Sequence, residues 1–131
     1  MNDAPARSDE NPYTVLLAED EPMLRAVVRE TLRRAGYTVI EAGDGTAGLE
    51  ILQSGDPIDV LLTDVKMPGL NGYQLAEAAL SLRPGMKVIL MTGYADETLP
   101  DAIRDASIPM LRKPFNFANL ATSIREVITA T

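Results

Sequence analysis

With 131 residues, 46% of them apolar, the chain has the size and composition of one globular domain, able to bury roughly two-thirds of its unfolded surface. It contains no His and no Cys, which excludes a Ser-His-Asp triad, a cysteine nucleophile, a phosphohistidine donor, a His/Cys zinc cage and a disulfide scaffold. A net charge of −7 argues against non-specific nucleic-acid binding, with plain solubility as the alternative meaning of the acidity, and no apolar run approaches the roughly 18 residues needed to insert across a bilayer.

In chain order, residues 1–12 form a polar, Pro- and Asp-containing stretch that reads as a disordered leader. It lacks the apolar core of a secretion signal, and together with the absence of Cys this leads us to expect a cytoplasmic protein. A single domain is expected over 13–131. Val15-Leu16-Leu17-Ala18 is a short apolar strand stopped by Glu19-Asp20-Glu21, and Pro22 suits the first turn of a helix. Leu24, Val27, Val28, Thr31 and Leu32 recur at helical spacing, Arg25, Arg29 and Arg33 take another face, and Gly36 stops the helix. A second strand is expected from Tyr37 to Glu41. Asp44 caps a helix bearing Ala47, Leu49, Ile51 and Leu52 that closes at Ser54-Gly55.

The third strand, Ile58 to Thr63, runs directly into Asp64 and a loop with Pro68, Gly69 and Gly72. Tyr73 to Leu82 is helical and Met86 to Met91 is the fourth strand. Asp96 to Ala106 makes a poorer helix, because Pro100 must sit in its first turn or break it. Met110-Leu111 is a very short fifth strand. Asn116 caps a last helix with Leu120, Ile124, Val127 and Ile128 on its apolar face. Strands 1, 3 and 4 are nearly continuous apolar runs, as expected where helices cover both faces of a parallel sheet. Right-handed crossovers then leave an α/β, doubly wound open sheet, whose ligands bind beyond the carboxyl ends of the strands.

The residues leaving the strands on that edge carry the chemistry. Strand 1 ends in Glu19 and Asp20, strand 3 in Asp64, strand 4 in Thr92 and strand 5 in Lys113. Each has an ordinary reading by itself. A lone Asp at a strand end is commonly a cap, Glu19-Asp20-Glu21 complements a helix dipole, and an isolated Lys is commonly solvated. Converged carboxylates, however, repel one another and raise a pKa, which a hard divalent cation with oxygen ligands, such as Mg2+, relieves. A phosphoryl group on Asp64 would replace one negative charge with about two, leaving the site negative and rich in acceptors. The Thr92 hydroxyl can answer those acceptors and draw its loop inward.

Four strings, Leu17-Ala18-Glu19-Asp20-Glu21, Asp64-Val65-Lys66-Met67-Pro68-Gly69-Leu70-Asn71-Gly72, Met91-Thr92-Gly93-Tyr94 and Lys113-Pro114-Phe115, together resemble the receiver domain of two-component response regulators over roughly residues 13–130. The resemblance implies a flavodoxin-like (βα)5 fold with strand order 2-1-3-4-5. It implies Asp64 as phosphoacceptor, Asp20, Asp64 and the Lys66 backbone carbonyl as direct Mg2+ ligands, and Glu19 as the outer acidic member acting through water. It implies Thr92 as switch hydroxyl, Lys113 as the phosphate-pairing lysine, and a cis bond between Lys113 and Pro114.

The implied donor is a sensor histidine kinase or a histidine phosphotransfer protein, and the implied output surface for a downstream protein is helix 4, strand 5 and helix 5. The domain would catalyse only its own phosphorylation and dephosphorylation. Met110 stands three residues before the lysine, where receivers often carry Tyr or Phe. Without a ring there, the switch is expected to work mainly through the loop from Tyr94 to Pro100, unless Met110 is a plain core residue. Lys66 and Tyr94 lie where family members tune phosphoryl lifetime.

Three alternatives stay open: the C-terminal receiver of a hybrid histidine kinase, a degenerate receiver that only binds, and an aspartate-nucleophile phosphatase of the haloacid dehalogenase kind. The last is disfavoured by Lys66, which stands where that class has its second Asp. The Arg-rich first helix, with Arg25, Arg29, Arg33 and Arg34, is a candidate kinase-docking face or an ordinary solvated one.

Overall fold

A computed structural model describes residues 13–93, 99–106, 108–113 and 116–129. Residues 1–12, expected as a leader, and Tyr94, Pro114 and Phe115 lie outside the described residues. Five strands, β1 (Thr14–Ala18), β2 (Thr38–Ala42), β3 (Val60–Asp64), β4 (Lys87–Thr92) and β5 (Met110–Arg112), form one parallel sheet in the order β2-β1-β3-β4-β5. Between and after them run the helices α1 (Pro22–Arg34), α2 (Gly45–Gln53), α3 (Gly72–Leu82), α4 (Asp101–Asp105) and α5 (Phe117–Thr129). The expected α/β, flavodoxin-like doubly wound fold is therefore present.

The continuous apolar strands resolve into two faces by their period of two. Leu16, Ala18, Leu61, Val88 and Leu90 pack with Leu52, Leu75, Ala76, Ala79 and Ile103, joining the sheet to α2, α3 and α4. Val15, Leu17, Val60, Leu62, Ile89 and Met91 pack with Val28, Leu32, Leu120, Ile124 and Ile128, joining it to α1 and α5. Each such buried Val, Leu, Ile or Met side chain contributes about 1.5–3 kcal/mol relative to exposure, so the two cores bind the layers without a disulfide or metal staple.

Local signals in the sequence set most helix ends. Pro22 opens α1, whose first free amides are served by the Glu21 carboxylate accepting from the Leu24 amide at 2.7 Å. Gly36, at φ 100°, closes α1: its amide donates to Arg33 O at 2.9 Å while the Tyr37 amide reaches back to Leu32 O at 3.1 Å. Asp44 caps α2 through the Ala47 amide at 2.8 Å, and Asn71 and Gln74 form a reciprocal capping box on α3. Ahead of α5, Asn116 accepts from the Ala118 amide at 2.8 Å.

β3 and β4 run Val60–Asp64 and Lys87–Thr92, slightly later than expected, and three further expectations are corrected. β2 runs Thr38–Ala42, one residue later than expected, because the Schellman closure of α1 uses the Tyr37 amide. Of the helix expected over Asp96 to Ala106, residues 96–98 lie outside the described residues, and the described helix begins at Asp101; Pro100, at φ −57° and ψ 149°, is its N-cap and holds an extended backbone. Val27, expected on the apolar stripe of α1, is 45% exposed, whereas Leu24, Val28 and Leu32 pack in the core shared with the sheet and α5.

The turn after β3 returns closely on itself. The Gly72 amide donates to Val65 O at 2.8 Å, and a Cβ at Gly72 would stand 2.1 Å from Asp64 O and 2.8 Å from Val65 Cα. Only a glycine lets the start of α3 press against the end of β3. Gly72→Ala is therefore expected to force the backbone around Asp64 apart and cost about 1–3 kcal/mol, read as a lower urea midpoint at unchanged slope.

Candidate functional site

Parallel pairing puts the carboxyl ends of β1, β3, β4 and β5 on one edge, beside the point where strand order reverses between β1 and β3. Glu19 follows β1 directly and is fully buried. Its amide donates to Ala42 O at 3.1 Å and its carbonyl accepts from an Arg25 guanidinium nitrogen at 2.8 Å. One carboxylate oxygen accepts from the Glu21 amide at 3.0 Å and the other lies 3.4 Å from Lys113 Nζ.

Asp64 is the last residue of β3 and only 7% exposed. Its Oδ1 accepts from the Val65 amide at 2.9 Å and its Oδ2 lies 3.1 Å from Lys113 Nζ. Lys113 follows β5, with its amide donating to Thr92 O at 2.8 Å, so the ladder between β4 and β5 aims the ammonium at both acids. Thr92 ends β4 and is buried. Asp20 is half-buried, and one carboxylate oxygen from each of Glu19, Asp20 and Asp64 lies within 4.8 Å of the others.

Burial pushes the Glu19 carboxyl up to about 7; the Glu21 amide opposes this, the Asp64 charge adds to it, and Lys113 counters it. For Lys113, burial alone would lower the pKa, but its hydrogen bond and charge contact with Asp64, and then Glu19, raise it above the ordinary lysine value. A permanent cation thus faces two buried acids, one of which titrates near neutrality. The acidic donors are all oxygens, with no nitrogen or sulfur among them, and suit a hard divalent cation. Glu19, Asp20 and Asp64 are the residues that could hold it.

Lys66 and Met110 are the other expected residues among those described. Lys66 is exposed in the loop after Asp64. Met110 pairs with Leu90 in the ladder and packs, partly buried, on the core shared by α2, α3 and α4. Tyr94 and the Lys113–Pro114 bond involve residues outside those described. Of the α1 arginines, Arg25 and Arg29 are turned inward: Arg25 Nε lies 3.3 Å and an Arg29 guanidinium nitrogen 3.2 Å from a Glu41 carboxylate oxygen. Arg33 and Arg34 remain exposed.

Sequence reasoning missed Arg25 as a neighbour of the site. Its signal was an Arg one turn inside α1 together with an acidic residue, Glu41, at the end of β2, a pairing visible only once β2 is known to lie beside β1. It also missed Glu21 as the cap of α1, reading it with Glu19 and Asp20 as charge that complements the helix dipole.

A family model for the response regulator receiver domain matches residues 15–125. The response regulator receiver protein CpdR of Brucella abortus (strain 2308) is 37% identical over 119 residues, covering 88% of this chain and 97% of CpdR. Sensor kinase CckA of the same strain is 37% identical over 117 residues, covering 88% of this chain but 12% of CckA. The crystal structure of a response regulator receiver protein from Sinorhizobium medicae WSM419 superposes with a TM-score of 0.77 at 32% identity, over 90% of this chain and 95% of that one. With the five-stranded order 2-1-3-4-5 and the acidic edge closed by a lysine, these matches establish that the chain belongs to the response regulator receiver domain family of two-component signalling.

Proposed function

We propose that Asp64 is the phosphoryl acceptor of this receiver domain, taking the group from a phosphohistidine on a sensor histidine kinase or a histidine phosphotransfer protein. The observation that carries this reading is the Lys113 ammonium 3.1 Å from the Asp64 carboxylate, at a strand end flanked by Glu19 and Asp20. An Asp64 oxygen attacks phosphorus; the O–P bond forms as the P–N bond breaks, and the imidazole nitrogen keeps the electron pair. Lys113 offsets negative charge on the transferring group, and the burial of Asp64 makes that offset stronger than it would be in water. Water later attacks the phosphorus of the acyl phosphate, restoring the carboxylate and releasing inorganic phosphate. The domain catalyses its own phosphorylation and dephosphorylation and no other turnover.

The oxygen donor set supports Mg2+ as the cation, held by Asp20, Asp64 and the Lys66 backbone carbonyl, with Glu19 as the outer acidic member. When bound, Mg2+ supplies positive charge that screens the acids from each other and from the incoming phosphate. Thr92 is the switch hydroxyl. Met110 leaves no aromatic ring three residues before Lys113, so the loop from Tyr94 to Pro100 carries the response. Lys66 and Tyr94 tune phosphoryl lifetime. The receiver spans 13–131 behind a leader of residues 1–12 and works in the cytoplasm, without direct contact to nucleic acid. A downstream protein docks on α4, β5 and α5, and the exposed Arg33 and Arg34 are left to face the kinase.

Asp64→Asn should abolish uptake of acid-labile phosphate from a small phosphodonor with Mg2+, followed by intact mass; undiminished uptake would show that the acceptor lies elsewhere. A second expectation concerns pH. Glu19 binds its proton more tightly in the folded chain than in the unfolded one, its pKa moving from 4.5 to about 7. Its stabilising contribution is therefore complete below the unfolded value and lost as pH rises through the folded one.

The metal-free domain should melt at progressively lower temperature from about pH 5 to about pH 8, while Lys113 stays charged. The gain in Tm from added Mg2+ should grow over the same window as the Glu19 carboxylate becomes available. Glu19→Gln should flatten both trends in thermal denaturation with and without chelator.

A further inference from the structure

The main chain at Glu19 is held at both its amide and its carbonyl. Its amide is taken by Ala42 O of β2 at 3.1 Å, as a continuation of the sheet ladder. Its carbonyl accepts from the Arg25 guanidinium of α1 at 2.8 Å. That guanidinium is itself fixed by Glu41, 3.3 Å from its Nε, and Glu41 is held by Arg29 at 3.2 Å and 3.3 Å. Arg25 thus bridges β2, the end of β1 and α1 with two different edges of one planar fork.

The peptide plane whose oxygen Arg25 holds is the one that leads into Asp20. Among the described residues nothing donates a hydrogen bond to the Asp20 carboxylate, so its direction depends on the backbone that carries it. Glu19 differs, since the Glu21 amide and Lys113 hold its side chain directly. We infer that Arg25 is a positioning residue for the divalent cation: by clamping the Glu19 carbonyl it aims the Asp20 carboxylate at Asp64. The inference rests on the reading of these acids as the metal site.

Charge and position make opposite demands here, and this makes the inference testable. Arg25 is a cation beside a site for cations, so as a charge alone its removal should tighten metal binding. As a clamp, its removal should loosen it. Calorimetric titration of the whole chain with MgCl2 alone separates the two. Arg25→Ala should weaken Mg2+ binding about ten-fold or more, the usual cost of losing an outer partner of a metal site. Arg29→Ala, which removes a similar charge from Glu41 but leaves the Glu19 carbonyl held, should stay within about two-fold of the unmodified chain.

With a small phosphodonor, Arg25→Ala should raise the Mg2+ concentration for half-maximal phosphorylation and leave the rate at saturating Mg2+ near that of the unmodified chain. A folded Arg25→Ala chain that binds Mg2+ as tightly as the unmodified one, or more tightly, overturns the inference. If Arg25→Ala does not fold, Arg25→Lys takes its place. A lysine keeps the charge but offers one ammonium in place of two edges of a planar fork, so it holds the carbonyl less rigidly and should weaken binding too, and unchanged affinity overturns the inference. An unmodified chain that binds no Mg2+ overturns the metal reading itself, and this inference with it, whereas binding by that chain with no loss in the variants overturns only the role of Arg25.

Discussion

The Lys113 ammonium lies 3.1 Å from Asp64 Oδ2 and 3.4 Å from Glu19 Oε1, and the acidic edge of the sheet depends on that contact. Two buried carboxylates placed together repel, and burial penalises each charge further. Glu19 shows the cost, with a carboxyl held up to about 7 even with Lys113 beside it. One lysine does not balance three acids, so the metal-free edge keeps an excess of negative charge. A divalent cation brings the formal sum to zero, and a phosphoryl group with its roughly two negative charges would displace it again. A site poised near this balance responds to small additions of charge.

Geometry for that contact comes from parts of the fold that share no sequence with it. The ladder between β4 and β5 carries Lys113 to the edge through the Thr92 carbonyl, although β5 is only three residues long. The turn after β3 is held by Gly72, whose missing side chain lets α3 start against the Asp64 carbonyl. On the other flank, Glu21 caps α1 while its amide holds the Glu19 carboxylate, so one residue fixes both the helix start and the acid beside it. The two apolar cores keep these elements in register, and the polar edge rides on them.

Much of this was legible in the chain. Apolar runs broken by Glu19-Asp20, Asp64 and Thr92 announced buried parallel strands ending in polar groups, because a strand covered on both faces has no other place for a charge. Helix ends with a Pro at the start, an Asp or Asn cap or a closing Gly were legible for the same local reason. Where local rules compete, legibility fell. Pro100 could have opened a helix or interrupted one, and the chain places it just outside α4. Val27 has the right spacing for the apolar stripe of α1, yet it is left 45% exposed.

By itself, then, the sequence determined the alternation of strands and helices, the absence of histidine and thiol chemistry, and the residue types at each strand end, because these depend on periodicity and on neighbours a few positions apart. Tertiary structure alone decided which charges meet. Lys113 reaches Glu19 across 94 positions of sequence, and Arg25 meets Glu41 only because β2 lies beside β1. Ion pairs act over a few ångströms, and no local pattern encodes which distant segments the sheet order will bring that close. The same physics took Arg25 and Arg29 off the outer face of α1, where spacing had put them, and turned them toward the acid that holds them.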